Sequence, residues 1–338
     1  CFLVVTLLAP QYAISKELVI LNWSNYLSPK IVARFEQQNN INVRQVFFNS
    51  DEERTERLLE TQGRGYDLIM VTGIDLKAYI RIGWLNPIPT AKITNLRHIE
   101  RRWRNRFTGA KEYGVPFSWG TLGIIYRSDL VDKPLISWSQ LYRPSEQLQG
   151  KIGMISTPRY LVGMALKALG YSLNTEDPDH LKEARALVKQ QSTHVRSYSY
   201  TALDEDSALL SGELYAAMIF NGDALTLKQY DENLVFALPV EGGNLWVDYL
   251  TVAKMSNSPE LAYRFINYLN IPEVAAEQAT FSKFATPNRS ALSYLPESYA
   301  DNQVIYPLGS NYRTTELNEH LSPQVLKYKN EIVAEIRQ

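Results

Sequence analysis

The stretch from Gly114 to Tyr126 reads GVPFSWGTLGIIY. It is extended in character, rich in aromatics and too long for a simple loop, so it is read as one chain crossing between two lobes. On its N-terminal side, Glu17 to Asn22 (ELVILN), Ile41 to Phe48 (INVRQVFF) and Tyr66 to Val71 (YDLIMV) read as strands. The near-continuous apolar runs among them mark strands covered on both faces. One helix starts at Ser28-Pro29 and runs to about Gln38. Another follows Ser50-Asp51-Glu52-Glu53, where Ser50 caps the N-terminus and the acids suit its dipole. This is the grammar of a parallel α/β layer.

The grammar repeats on the C-terminal side. Lys151 to Ile155 is a strand, Leu161 to Leu169 a helix ended by Gly170, and Asp179 to Gln190 another helix. Glu213 to Phe220 ends in a strand, Leu234 to Leu238 is a strand, and Leu245 to Ala253 (LWVDYLTVA) is a longer one, read as the return crossing. The helix Pro259 to Asn270 then rejoins the first lobe. No Pro/Gly-rich linker separates the halves, so two lobes joined by extended crossings imply a hinge and a cleft.

With 35 Lys+Arg against 36 Asp+Glu the net charge is −1, which excludes a global basic surface for nucleic acid. Hydrophobic residues at 45% and charged residues at 21% describe an ordinary globular chain. The aromatic excess, with six Trp, 21 Tyr and 11 Phe, is more than a core needs and points to a lined surface or cleft. Phe2 to Ala9 (FLVVTLLA) has the length of a signal-peptide apolar region, and Ala13-Ile14-Ser15 offers a small-x-small cleavage site. Residues 1–15 are therefore read as the remnant of a signal peptide, with a buried N-terminal strand as the alternative. The only cysteine, Cys1, precedes the apolar run, whereas a lipid-bearing cysteine would follow it. Past that leader no thiol remains for disulfides, thiolate zinc sites or nucleophilic catalysis.

No glycine-rich dinucleotide or phosphate loop, no H-E-x-x-H and no G-x-S-x-G is present. The four histidines, His98, His180, His194 and His320, are scattered through polar segments. The sequence offers no positive case for an enzyme, a cofactor or a resident metal. What remains is aromatics beside acids and hydroxyls at strand ends, where α/β sheets put their ligands. These are Trp23-Ser24-Asn25-Tyr26, Thr72-Gly73-Ile74-Asp75, Phe117-Ser118-Trp119, Phe220-Asn221-Gly222-Asp223 and Trp246-Val247-Asp248. Such a lining suits a dication with a methylene spine. Carboxylates would pair with its ammonium ends, and ring faces would cover its CH₂ groups, with cation–π attraction of ~1 kcal/mol each.

In this order, NWSNY (22–26), YDL (66–68), WG (119–120), ALKALGYS (165–172), NT (174–175) with DP (177–178), NG (221–222), EGG (241–243) with Trp246 and Asp248, and TPN (286–288) resemble one family. It is that of the bacterial periplasmic spermidine/putrescine-binding proteins, including a norspermidine-sensing subgroup that the segment around Gln45 to Arg57 is similar to. The resemblance implies a two-lobe α/β fold of the flytrap type, with parallel-type mixed sheets and an interlobe cleft. Its division would be 16–118 plus 251–290 for the first lobe and 119–250 plus 291–338 for the second. It implies export to the periplasm, a monomer and a small-molecule polyamine ligand. The partner would be either an inner-membrane ABC permease or a membrane-bound GGDEF/EAL-type sensor controlling cyclic-di-GMP and biofilm formation, with no nucleic acid involved.

By matching position, Trp23 and Tyr26 wall the cleft, and Ser24 and Thr72 contribute hydroxyls. Trp246 stacks on the alkyl spine and Asp248 pairs with an ammonium. Phe220 and Phe284 stand where relatives often carry Trp and Tyr, and Asp223 resembles an acid of putrescine-type members. Trp119 and Tyr160 complete the candidate set. Thr157 and Tyr160 stand where spermidine binders place two acids, and Ile74 where a Tyr is often seen, a departure that should weaken or redirect spermidine binding unless other acids compensate. For the sensor reading, Ser50 to Arg54 and the basic Arg101 to Arg106 are candidate surface contacts. Tyr198-Ser199-Tyr200 resembles the close tyrosines of ferric-ion binders, a minor alternative.

Overall fold

The computed structural model describes residues 16–336, so the leader expected at 1–15 lies outside them. Eleven strands are found among the described residues. They are β1 (Lys16–Trp23), β2 (Ile41–Phe48), β3 (Leu68–Thr72), β4 (Leu85–Asn86), β5 (Gly114–Arg127), β6 (Ile152–Gly153), β7 (Val195–Ser197), β8 (Ala216–Phe220), β9 (Leu234–Ala237), β10 (Asn244–Ala253) and β11 (Glu316–Leu317). They pair in the order β2-β1-β3-β10-β5-β8-β6-β7, with β4 and β11 on β10 and β9 on β5. Within each lobe the early strands run parallel: β2, β1 and β3 in the first, β8, β6 and β7 in the second. The long strands β5 and β10 run antiparallel to each other and to their other neighbours, except that the short β11 pairs parallel with β10. This is the expected mixed sheet, with the two crossings at its centre.

Each lobe has its own core. The first gathers Leu18, Ile20, Phe35, Met70, Val247, Tyr249 and Phe265, and the second Leu122, Ile124, Trp138, Met164, Leu187 and Ile332. Strand β5 serves both. Its residues up to Trp119 pack in the first core and those from Leu122 onward in the second. Alternation then splits the second lobe's sheet between two faces, with Ile124 on one and Ile125 on the other.

Three sequence expectations shift. The strand read at Lys151 to Ile155 is only Ile152–Gly153. The helix read from Leu161 begins at Pro158, because a proline in the first turn forfeits no hydrogen bond. The C-terminal segment divides: Ile305 and Leu317 join the first core, while Val325, Ile332 and Val333 of helix Pro323–Ile336 pack on the second.

One side chain ties the crossing to its surroundings. Asn221, fully buried, accepts from the Thr121 N–H at 3.1 Å and donates from Nδ2 to the Val304 carbonyl at 2.8 Å. Asn221→Ala orphans both backbone groups and is expected to cost roughly 2–4 kcal/mol. A thermal unfolding midpoint several degrees below wild type would register it, and an unchanged midpoint would show that the crossing is held by its strand pairing alone.

Candidate functional site

The register of the crossings decides which side chains meet. On β10, Asp248 pairs with Thr72 of β3 on one side and with Ser118 of β5 on the other, so the three side chains share a face. Trp246 pairs with Gly120 and lies on that same face. A Cβ on Gly120 would stand 2.7 Å from the Trp246 ring and 2.4 Å from Asn221 Oδ1, so glycine is what lets the indole lie against the strand. A Cβ on Gly222 would likewise stand 2.5 Å from the Phe284 ring. Past Asp248 the pairing shifts, with Tyr249 opposite Pro116, which leaves Phe117 as the extra residue of a bulge. Its ring meets Tyr26 edge-on at 5.5 Å.

From Tyr26 an unbroken row of rings crosses the site. Tyr26 meets Phe284 at 6.1 Å, Phe284 meets Trp246 at 4.8 Å, and Trp246 meets Phe220 at 5.9 Å. Phe220 in turn meets Tyr160 at 5.5 Å and Tyr200 at 5.9 Å. A carboxylate stands at each end. The Tyr26 hydroxyl donates to Asp248 at 3.0 Å, and the Tyr200 hydroxyl donates to Asp223 while accepting from the Phe220 N–H at 3.2 Å. The loop that carries Tyr26 is held by Gln278, which donates to the Tyr26 carbonyl at 2.8 Å and accepts from the Ser28 N–H at 3.0 Å.

Neither Asp248 nor Asp223 has an ion pair among the described residues. Burial pushes Asp248 up to about 6, helped by the nearby Asp51 and opposed by Arg54 and the Tyr26 hydroxyl. Burial likewise pushes Asp223 up to about 6, opposed by Tyr200 and by Lys283. Such paired acids invite a ligand that brings its own positive charge.

Beyond Asp248 lies a charged cluster. Thr72, beside Asp248 in register, donates to Asp51 at 2.8 Å. Arg54, fully buried, contacts Asp51 and Asp75 at 2.7 Å each and donates to the Tyr79 hydroxyl at 3.1 Å. Arg159, at the start of helix Pro158–Ala168 in the second lobe, stands 3.7 Å from Asp51 and 3.6 Å from Asp75 in the first. Trp23 borders this cluster through Phe48, whose ring it meets at 4.4 Å and over which Arg54 lies at 5.3 Å.

Of the residues singled out in the sequence, Tyr26, Thr72, Tyr160, Phe220, Asp223, Trp246, Asp248 and Phe284 come together here. Trp23 lies at the edge, and Ser24 is exposed, donating to Asn49 at 3.4 Å. Trp119 does not join them. It pairs with Val247, so it faces the other way and packs against Trp103 at 5.0 Å, with its indole N–H donating to the Thr286 carbonyl at 3.3 Å. The expected docking surface at Ser50 to Arg54 is also corrected, because Asp51 and Arg54 are buried in the cluster. The tyrosines weighed for iron are split between two settings: Tyr200 holds Asp223, and Tyr198 packs on the second core. Sequence reasoning missed Tyr200, Asp51, Arg54, Asp75 and Arg159 as cleft residues. Only the strand-end position of Thr72 to Asp75 signalled one of them.

The pattern of the bacterial extracellular solute-binding proteins matches residues 30–305. Among curated relatives, the spermidine/putrescine-binding periplasmic protein of Escherichia coli is 28% identical over 86% of this chain and 83% of its own. The norspermidine sensor of Vibrio cholerae is 24% identical over 95% and 88%. Among solved structures, a putative spermidine/putrescine ABC transporter protein from Listeria monocytogenes superposes with a TM-score of 0.86 at 29% identity, covering 96% of this chain and 99% of that one. With the family pattern spanning most of its length, and a two-lobe fold built around crossing strands, this chain belongs to the bacterial extracellular solute-binding proteins.

Proposed function

We propose that this protein is a periplasmic polyamine-binding protein that closes its lobes on a cationic ligand and presents it to a membrane partner. The observation that carries this reading is the row of aromatic rings ending in two carboxylates, the buried Asp248 and the half-buried Asp223, each gripped by a tyrosine hydroxyl and neither ion-paired among the described residues. In water a methylene chain and two ammonium groups gain little from binding a flat surface. In this setting the rings shed water from the chain while each carboxylate gains the counter-charge it lacks. The names of the relatives, a spermidine/putrescine-binding periplasmic protein among them, support the ligand class and the compartment. Trp23, Ser24, Thr72 and Tyr160 are assigned supporting places on the wall, and the work of the site is binding, not catalysis.

The membrane partner is either a polyamine ABC permease or a sensor receptor. The 24% identity to a norspermidine sensor over nearly the whole chain supports the second output, control of a membrane cyclic-di-GMP enzyme. Uptake of labelled polyamine that depends on this protein would favour transport. A polyamine-dependent change in cyclic-di-GMP without uptake would favour signalling.

Calorimetric titration with putrescine, spermidine and norspermidine, after unfolding and refolding to strip carried-over ligand, tests the reading directly. Binding of at least one is expected, and silence with all three from folded protein would end it. Asp248→Asn and Asp223→Asn are each expected to weaken binding by roughly 100-fold, the scale of leaving a buried charge without its partner. Unchanged affinity in both would remove these residues from the site.

The pH dependence follows from the same carboxylates. Their folded-state values, raised to about 6, mean that both take up protons as pH falls through 6, so cation affinity should drop below that point. The sign for stability is opposite. An acid with a raised folded value destabilises the fold where it is ionised, above about pH 6, and that cost fades as pH falls toward its unfolded value. Ionised Asp248 costs the ligand-free fold roughly 3 kcal/mol at neutral pH. Asp248→Asn should therefore raise the ligand-free melting temperature at pH 7 by a few degrees while weakening binding. A lower melting temperature would show that Asp248 serves the fold.

A further inference from the structure

The cleft holds four acids and two guanidinium groups close together. Asp223 and Asp248 end the row of rings, and Asp51 and Asp75 continue from Asp248 through the Thr72 hydroxyl. Arg54 is fixed among them, with contacts of 2.7 Å to both Asp51 and Asp75. Arg159 is different. It comes from the opposite lobe, and its contacts of 3.6 and 3.7 Å are too long for hydrogen bonds; its Nη1, like that of Arg54, is buried with no hydrogen-bond partner among the described residues. It also sits in the first turn of its helix, where the dipole disfavours positive charge. A side chain so placed is not explained by the stability of its own helix. Its counter-charges lie across the cleft.

Four carboxylates and two guanidinium groups leave a net of two negative charges for a ligand, and the balance is unchanged when Lys283 near Asp223 and Glu52 near Arg159 are counted at the margins. We infer that Arg159 is a specificity-determining residue, a tethered cation that occupies the place a third ammonium group would need and so makes the ligand an α,ω-diamine and not a triamine. The inference rests on the polyamine reading above and sharpens it. A triamine entering the same cleft would bring its third charge up against Arg159 and Arg54, facing acids they already neutralise. With Arg159 uncharged, Asp51 and Asp75 share only Arg54, and one carboxylate charge is released to meet a third ammonium.

The test is a calorimetric comparison of putrescine with spermidine and norspermidine on wild type, Arg159→Gln and Arg159→Lys. Wild type should prefer the diamine. Arg159→Gln should shift the triamine-to-diamine affinity ratio toward the triamines by about tenfold or more, and Arg159→Lys, which keeps the charge, should retain the wild-type ratio. A wild-type preference for triamines overturns the inference. So does an unchanged ratio in Arg159→Gln, a shift in Arg159→Lys as large as that in Arg159→Gln, or loss of all binding in Arg159→Gln while wild type still binds. If neither wild type nor Arg159→Gln binds any polyamine, the polyamine reading itself fails, and the assignment of Arg159 falls with it.

Discussion

Asp248 sits midway along β10, the return crossing, flanked in register by Thr72 and Ser118 and capped by the Tyr26 hydroxyl. It is buried and carries no ion pair among the described residues, and much of the surrounding architecture follows from keeping it there. The bulge at Phe117 turns an aromatic ring toward Tyr26, and Gln278 holds the Tyr26 loop from two sides. Glycine at position 120 lets Trp246 lie flat beside the acid. A fold selected for stability alone would place an apolar side chain at this register, since burying an unpaired carboxylate is costly. Its presence at the centre of the crossing is the feature on which the proposed binding role rests.

Much of the fold was legible because apolar runs, caps and prolines act locally. The strand read at Ile41 to Phe48 has those bounds, and the crossing read at Gly114 to Tyr126 extends by one residue to Arg127. The ring row was largely legible too, since Trp246, Asp248, Phe220 and Asp223 stand at strand ends. Trp119 was misplaced because the register between β5 and β10 is set by tertiary pairing and cannot be read from one strand. A signal did exist in the small residues Ser118 and Gly120, which share parity and leave room on one face, while Trp119 takes the other.

The charged cluster was illegible for a different reason. Asp51 and Arg54 stand three residues apart on a helix, the spacing of any solvated surface pair, and Asp51, Glu52 and Glu53 suit a helix N-terminus. Nothing in that spacing tells whether the helix faces water or a second lobe. Arg159 carries no motif at all, and it becomes significant because helix Pro158–Ala168 starts earlier than its apolar run and aims its first turn across the cleft. Contacts between residues more than 80 positions apart leave no trace in local pattern. Tyr200 is the same case on a shorter scale, since its value lies in the Asp223 carboxylate it holds.

On the function proposed above, closure and recognition would be one electrostatic event. Asp51 and Asp75 belong to the first lobe, Arg159 and Asp223 to the second, and Asp248 to the strand between them. With the lobes apart, water would screen the charges that face the cleft, and even at contact distance two unit charges in water attract by only about 1 kcal/mol. As the lobes approach and water leaves, the same charges act through a lower dielectric and each interaction grows severalfold. Arg159 supplies one attraction across the gap that is present with or without ligand, while Asp223 and Asp248 remain costly to desolvate until a cation lies between them. The permanent pair therefore sets how far closure is favoured beforehand, and the two unpaired carboxylates set how much a ligand adds. On the polyamine reading proposed above, a ligand with charge at one end only would satisfy one of them and leave the other without a counter-charge, so the arrangement would favour molecules cationic at both ends.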